Sequence, residues 1–280
     1  MEFILTGIDI EAKAQIITEA LFNSVGGKEQ FDEVSILLDR TDKKDPNSNE
    51  EAMASLRISV KSKDPDLVGR MFTAKMIELA LANYPGFFTG GGVRSGGPVL
   101  VYWPALIDSK HIKETVHIDG KEIDVMPTNQ LDLEETYYQK QPIEIPPPPS
   151  GETINKPLGM LFGARSGDKG GCANIGVWAK NENAFSFLNN FLTVEKIKEL
   201  MPDLREFEID RYELPNLLSL NFYIHDILED GVSSNTRKDG QAKSLGEYLR
   251  AKYADIPKSC LLYTSPSPRD QRGSRMPSSA

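Results

Sequence analysis

The segment GARSGDKGGCANIGVWA, residues 163–179, decides how the second half of the chain is read. It sets Arg165, Ser166, Asp168 and Lys169 among glycines and runs straight into an apolar stretch. With the apolar LGMLFGA before it, the segment reads as strand, loop, strand, residues 165–171 being the loop. Glycine tolerates positive φ and lets backbone approach a ligand closely. Successive amides in such a turn can converge on an anion. Arg165 and Lys169 add charge, and a guanidinium grips carboxylate or phosphate through two parallel bonds. Asp168 can act as a base, bind a hydroxyl, or pair with Arg165 or Lys169. A polar β-turn with solvated charges is the competing reading, and the residues leave the two balanced.

Spacing excludes the nucleotide-binding loops. Counted from Gly163, Asp168 stands where a Walker loop needs glycine, and Gly170 stands where it needs Ser or Thr after the lysine; G-x-G-x-x-G does not fit either. Asp168, Ser166 and Lys169 are therefore the candidate catalytic groups, and Arg165, Gly167, Gly170, Gly171 and Asn174 the candidate ligand-binding ones. Cys172 is a conceivable nucleophile beside this charge, but a small residue at a strand start is the simpler reading.

Outward from this segment, ENAFSFLNNFLTVEKIKELMP reads as a helix broken at Thr193, which can cap a second piece, with Pro202 as the stop. FEIDRYEL reads as a strand. LSLNFYIHD places Leu218, Leu220, Phe222 and Ile224 on one side of an extended chain; Leu217, Ile224 and Leu228 would also share a helical face, and the aromatic alternation favours strand. Beside it, Tyr212, Glu213, Asn216 and Asn221 read either as substrate contacts or as turn chemistry and a solvated sheet face. GVSSNTRKDG brings Ser233, Ser234, Arg237 and Asp239, with Asp239 as a helix cap and Arg237 exposed. DGQAKSLGEYLRAKY is a final helix with Ala242, Leu245 and Leu249 inward. The order ββαββα predicts an antiparallel sheet with helices on one face.

The first half mixes helices and strands. Residues 8–27 form an amphipathic helix ending at Gly26. FDEVSILLDR and ASLRISVKS are strands, the second alternating Leu56, Ile58 and Val60 with Arg57, Ser59 and Lys61. A helix opens at Pro65 and runs to Tyr84. TGGGVRSGGP repeats Arg-Ser-Gly at Arg94, so two arginine-bearing loops can face one anion, or this one is a plain surface loop. VLVYWPALI predicts a central strand, and TVHIDGKEIDV a hairpin turning at Asp119-Gly120. Prolines 146–149 mark a boundary near residue 150.

Composition narrows the function classes. The chain has 280 residues and a net charge of −9, which with no basic patch argues against nucleic acid and membrane surfaces. Two cysteines make no disulfide framework. Without a signal peptide pattern or a long apolar run, a cytoplasmic setting is expected. The histidines, His111, His117 and His225, show no metal-ligand spacing, and no metal site is expected. No G-x-S-x-G elbow is present. No cofactor is evident.

ARSGDKGGCANIGVWA, FLTVEKIKELMP, RYELPNLLSLNF and KSLGEYLRAKY resemble the AtuA-like C-terminal domain of the acyclic terpene utilisation family, which implies a ferredoxin-like fold. FDEVSILLDRTDK, NEEAMASLRISVK, DPDLVGRMFTAKMIELALANYPGFF and YWPALI resemble the last part of that family's large N-terminal domain. The expected architecture is a mixed α+β chain: a shortened N-terminal α/β domain over residues 1–138, a proline-rich linker over 139–157, a small ferredoxin-like α+β sandwich over 158–258, and an adapter-derived or disordered tail over 259–280. Cys172 stands where the family usually carries a small polar residue, which counts against a nucleophile there. The resemblance implies a part in breaking down citronellol- or geraniol-like terpenoids. It suggests a branched acyl-CoA or carboxylate as the anionic isoprenoid ligand, in a hydration, lyase or hydrolase step. The alternative is a non-catalytic homo-oligomer or pathway subunit that uses the small domain for assembly.

Overall fold

Residues Phe3, Ile4 and Leu5 are almost wholly buried, and this short apolar run is the inner strand of the first sheet. The computed structural model describes residues 1–81, 83–90, 100–101, 103–125 and 144–261. Strand β1 (Glu2–Thr6) leads to helix α1 (Ile10–Ser24), then to β2 (Glu33–Asp39) and β3 (Met53–Lys61). Helices α2 (Pro65–Val68) and α3 (Arg70–Glu78) precede β4 (Phe88–Thr89). The strands form an antiparallel sheet in the order β2-β3-β1-β4. Ile17 and Leu21 of α1 and Phe72 of α3 close over Phe3, Leu5, Leu56 and Ile58 as one core. The helix expected over residues 65–84 is therefore broken. Asp64 caps its first piece by accepting from the Asp66 amide, and Gly69 divides it.

A second unit, residues 102–144, contains the hairpin β5 (Glu114–Ile118) and β6 (Lys121–Val125). Its turn is the one the sequence predicts, with Asp119 and Gly120 both at positive φ (49° and 72°). The central strand expected at VLVYWPALI is not formed among the described residues. Trp103 and Leu106 are exposed, and Pro104 has no amide to give a sheet.

The remaining residues carry β7 (Thr153–Pro157), β8 (Phe162–Lys169), β9 (Cys172–Ala179), α4 (Glu182–Phe191), α5 (Val194–Leu200), β10 (Ile209–Leu214), β11 (Ser219–Ile224), α6 (Leu245–Ala251), β12 (Tyr253–Pro257) and α7 (Lys258–Leu261). β10-β11-β9-β8 is a fully antiparallel sheet with the helices on one face, the α+β architecture expected. Thr193 caps α5 by accepting from the Lys196 amide. Two expectations need correction. Thr153–Pro157, inside the stretch read as linker, pairs with β12. Cys260, assigned to the tail, is fully buried in α7 and packs into the core. Residues 262–280 lie outside the described residues.

Residues 1–101 and 145–261 belong to one compact unit although they have separate cores. Polar contacts join them. Lys13 Nζ donates to Glu247 at 2.5 Å and to the Thr6 carbonyl at 2.6 Å, and Lys252 reaches the Pro46 carbonyl at 2.7 Å. Ser244 Oγ lies 3.0 Å from the Asn49 side-chain amide, and the Asn49 backbone amide donates to Asp203. No helix among the described residues is long and apolar enough to cross a membrane.

Candidate functional site

The glycine-rich motif is not a loop. Residues 165–169 are the second half of strand β8, and only Gly170 and Gly171 make the turn, with Lys169 directly opposite Cys172. Gly170 has φ 69°, the positive value that a two-residue hairpin turn requires. Gly171 is fixed by packing: a Cβ there would stand 2.1 Å from the Glu229 carbonyl oxygen. The glycines therefore serve the hairpin, and no nest of amides forms. Strand alternation divides the polar residues between two faces, with Arg165, Gly167 and Lys169 on one and Ser166 and Asp168 on the other.

The individual candidates follow from that division. Ser166 is buried, and its Oγ accepts from the Gly246 amide at 3.0 Å at the start of α6. Asp168 is half-buried. Lys169 is exposed, and its Nζ donates to the Asp168 carbonyl. Asn174 donates to Asn221 at 2.8 Å across β9 and β11, so these two hold each other. Asn216 is exposed in the turn between β10 and β11. Arg94 lies outside the described residues. Asp239 is buried as expected of a cap, but it organises the turn before α6, accepting from the Lys243 and Ser244 amides and the Ser244 hydroxyl. Helix α6 is correspondingly shorter than the sequence suggests, and Ala242 takes a positive φ ahead of it. Arg237, expected to be exposed, has a buried Nε without a partner.

Arg165 and Ser166 do meet at a cavity of about 140 Å³ at the edge of β8, together with Asn83, Tyr84, Trp178 and Lys243. The cations Arg165 and Lys243 line it with the Asn83 amide, and Ser166 contributes from the α6 side of the strand. Arg165 and Lys243 form no ion pair among the described residues. The Asn83 Nδ2 is buried with no partner, while its Oδ1 accepts from the Tyr84 amide. Ser166 keeps a hydroxyl proton that no described residue accepts. A buried donor without an acceptor is costly, and a bound anion would relieve it. Tyr84 supplies wall, not charge: its hydroxyl donates to the Ile4 carbonyl at 2.8 Å, and burial holds its pKa far above the ordinary phenol value. The Trp178 indole lies against Gly163, where a Cβ would stand 2.4 Å from the ring, which explains the first glycine of the motif. Such a set can bind and orient a carboxylate or phosphate.

Lys243 and Asn83 were not legible as site residues. Both lie in segments that carry the family resemblance, but nothing in those segments marks them as site residues, and each reaches the cavity from a sequence-distant segment. The sheet also assembles a group on its open side. The side-chain donors of Glu208, Asp210 and His225 lie within 4.8 Å of one another, a candidate position for a metal ion that no spacing in the sequence announces. His225 Nε2 is 2.9 Å from Asp210, and that hydrogen bond raises the His225 pKa above its ordinary value. Close by, the Cys172 thiol pushes the Tyr223 phenol up to about 12.

Residues 1–118 match the family described as acyclic terpene utilisation family protein AtuA, and residues 157–254 match the AtuA ferredoxin-like domain. No curated protein and no solved structure matches the chain.

Proposed function

The chain belongs to the acyclic terpene utilisation family, and from that premise we propose that it binds a branched isoprenoid carboxylate, free or as part of a CoA-linked intermediate, at the edge of β8. The observation that carries this reading is the pair of cations, Arg165 and Lys243, lining one cavity with no carboxylate partner and beside an Asn83 amide with no acceptor among the described residues. Arg165 keeps the anion-binding part expected of it. Lys243 takes the part expected of Lys169, whose ammonium is turned to its own neighbour's carbonyl. Ser166 is the hydroxyl within reach of a ligand. The reaction proposed is a hydration, lyase or hydrolase step, for which the family resemblance and the lack of a nucleotide fingerprint are the support.

Titration calorimetry of the full chain with citronellate tests the site. Charge-assisted bonds contribute about 1.5–3 kcal/mol each, so Arg165→Ala and Lys243→Ala should each weaken binding by at least about tenfold. Unchanged affinity in both variants removes the reading. An assembly role has its own observation: Trp178, Tyr212, Leu214 and Leu217 are exposed on or beside the uncovered sheet. A concentration-dependent mass in light scattering, abolished by Trp178→Ser, would favour that role.

A further inference from the structure

The cation-lined cavity does not stand alone. A second, larger cavity of about 700 Å³ abuts it, and Ala80, Phe87 and Lys243 line both. Its other walls include Thr73, Met76 and Ile77 of α3 and Phe88 of β4. The smaller cavity is rich in polar donors, while the larger has a side formed by Met76, Ile77, Phe87 and Phe88. Its volume falls in the range of about 300–1,000 Å³ that small-molecule sites occupy. The carboxylate in that wall, Asp239, is turned away: both its oxygens are taken by the Lys243 and Ser244 amides and the Ser244 hydroxyl. Lys243 therefore stands at the junction with its charge unopposed among the described residues.

We infer that the two cavities are one site for an amphipathic carboxylate, the head held by Arg165, Lys243 and Asn83 and the hydrocarbon chain laid along α3 and β4. This rests on the head-group reading above and adds the chemistry of the tail. A short acid fills only the donor end. A long branched acid reaches past Lys243 and buries methylenes against Met76, Ile77 and Phe88. An alcohol of the same chain loses the charge that Arg165 and Lys243 recognise.

The test is calorimetry on the full chain with isovalerate, citronellate and citronellol. Citronellate should bind at least about tenfold more tightly than isovalerate, the factor expected from burying two further methylenes. Citronellol should bind more weakly than citronellate. Ile77→Ser, at a residue 78% exposed and so of little consequence for folding, should pull citronellate toward the isovalerate affinity and leave isovalerate unchanged. Equal affinity of the two acids overturns the tail site while leaving the head site standing. Citronellol binding as tightly as citronellate overturns the shared occupancy. Failure of both acids to bind overturns the head site and the tail site together.

Discussion

Two groups of cations in this molecule are treated in opposite ways. Lys13 and Arg250 close on Glu247 from both sides, the lysine at 2.5 Å and the arginine at 2.7 and 2.9 Å, with the Lys13 and Glu247 side chains 5% and 1% exposed. Arg165 and Lys243, in the same unit, have no carboxylate at all among the described residues. Scarcity does not explain this, because the chain carries 41 acidic residues against 32 basic ones. Where charge holds the two cores together it is matched and sealed. Where it faces a cavity it is left open, together with a buried amide that no acceptor satisfies. The contrast separates a clamp from the proposed binding site without any appeal to sequence motifs.

The largest effect expected from breaking that contrast is at Glu247. Burial already holds the Lys13 pKa below its ordinary value, with Glu247 the main opposing influence. Glu247→Gln leaves a buried ammonium without a counter-charge and should lower unfolding free energy by about 3–5 kcal/mol in urea titrations. Arg165→Ala and Lys243→Ala, measured in the same way, should shift stability by less than about 0.5 kcal/mol. If Glu247→Gln is as stable as the parent, the clamp is not what joins the cores. If Arg165→Ala unfolds the protein, the open cation is structural after all.

The clamp and the site share a reason for being hard to read in the sequence. Lys13 and Glu247, and Asn83 and Ser166, are brought together only by the fold, so no spacing could reveal them. Elements written in local chemistry were legible. The Leu56, Ile58 and Val60 alternation gives β3, Thr193 divides α4 from α5, and Asp119-Gly120 turns the hairpin. The misreading of residues 165–169 is instructive. Their polar and glycine-rich composition reports an edge strand with Arg165 and Lys169 on its exposed face, where charge is normal, and says little about backbone path. The adjacent glycines 170 and 171 were the better signal, since two such residues between extended runs mark a hairpin. In the first half, EFILT is too short to show a period, and VLVYWPALI is apolar enough to suggest burial, whereas Leu100, Val101, Trp103, Leu106 and Ile107 are exposed.

A smaller effect is expected where the clamp touches backbone. Gly7 has φ 85°, and a Cβ there would stand 2.4 Å from the Glu247 carbonyl oxygen. Gly7→Ala meets both the left-handed strain and the clash, together about 2 kcal/mol. Paired with Glu247→Gln in a double-mutant cycle, the two changes should add to less than their sum, because each loosens the same junction. Strict additivity would place Gly7 outside the clamp.

His225 falls between the two extremes, since it is matched to a carboxylate yet open to solvent. The Asp210 hydrogen bond raises its pKa in the folded chain, with further help from Glu208 and Asp226. A raised value means that the folded state holds the proton more tightly than the unfolded chain does. The stability contributed is therefore complete below the unfolded value, near 6.5, and is lost as pH rises through the folded one. Because the ring is only half-buried, the gain is small and screened by salt. Proton NMR titration in the presence of a chelator, so that the proton is the only cation at the cluster, should give a midpoint above the ordinary value. Asp210→Asn should bring it down toward that value and should lower stability most below pH 6.5, the loss shrinking as pH rises through the folded midpoint. A His225 midpoint unaffected by Asp210→Asn would show that this half-exposed pair carries no linkage, in contrast to the sealed Lys13–Glu247 pair.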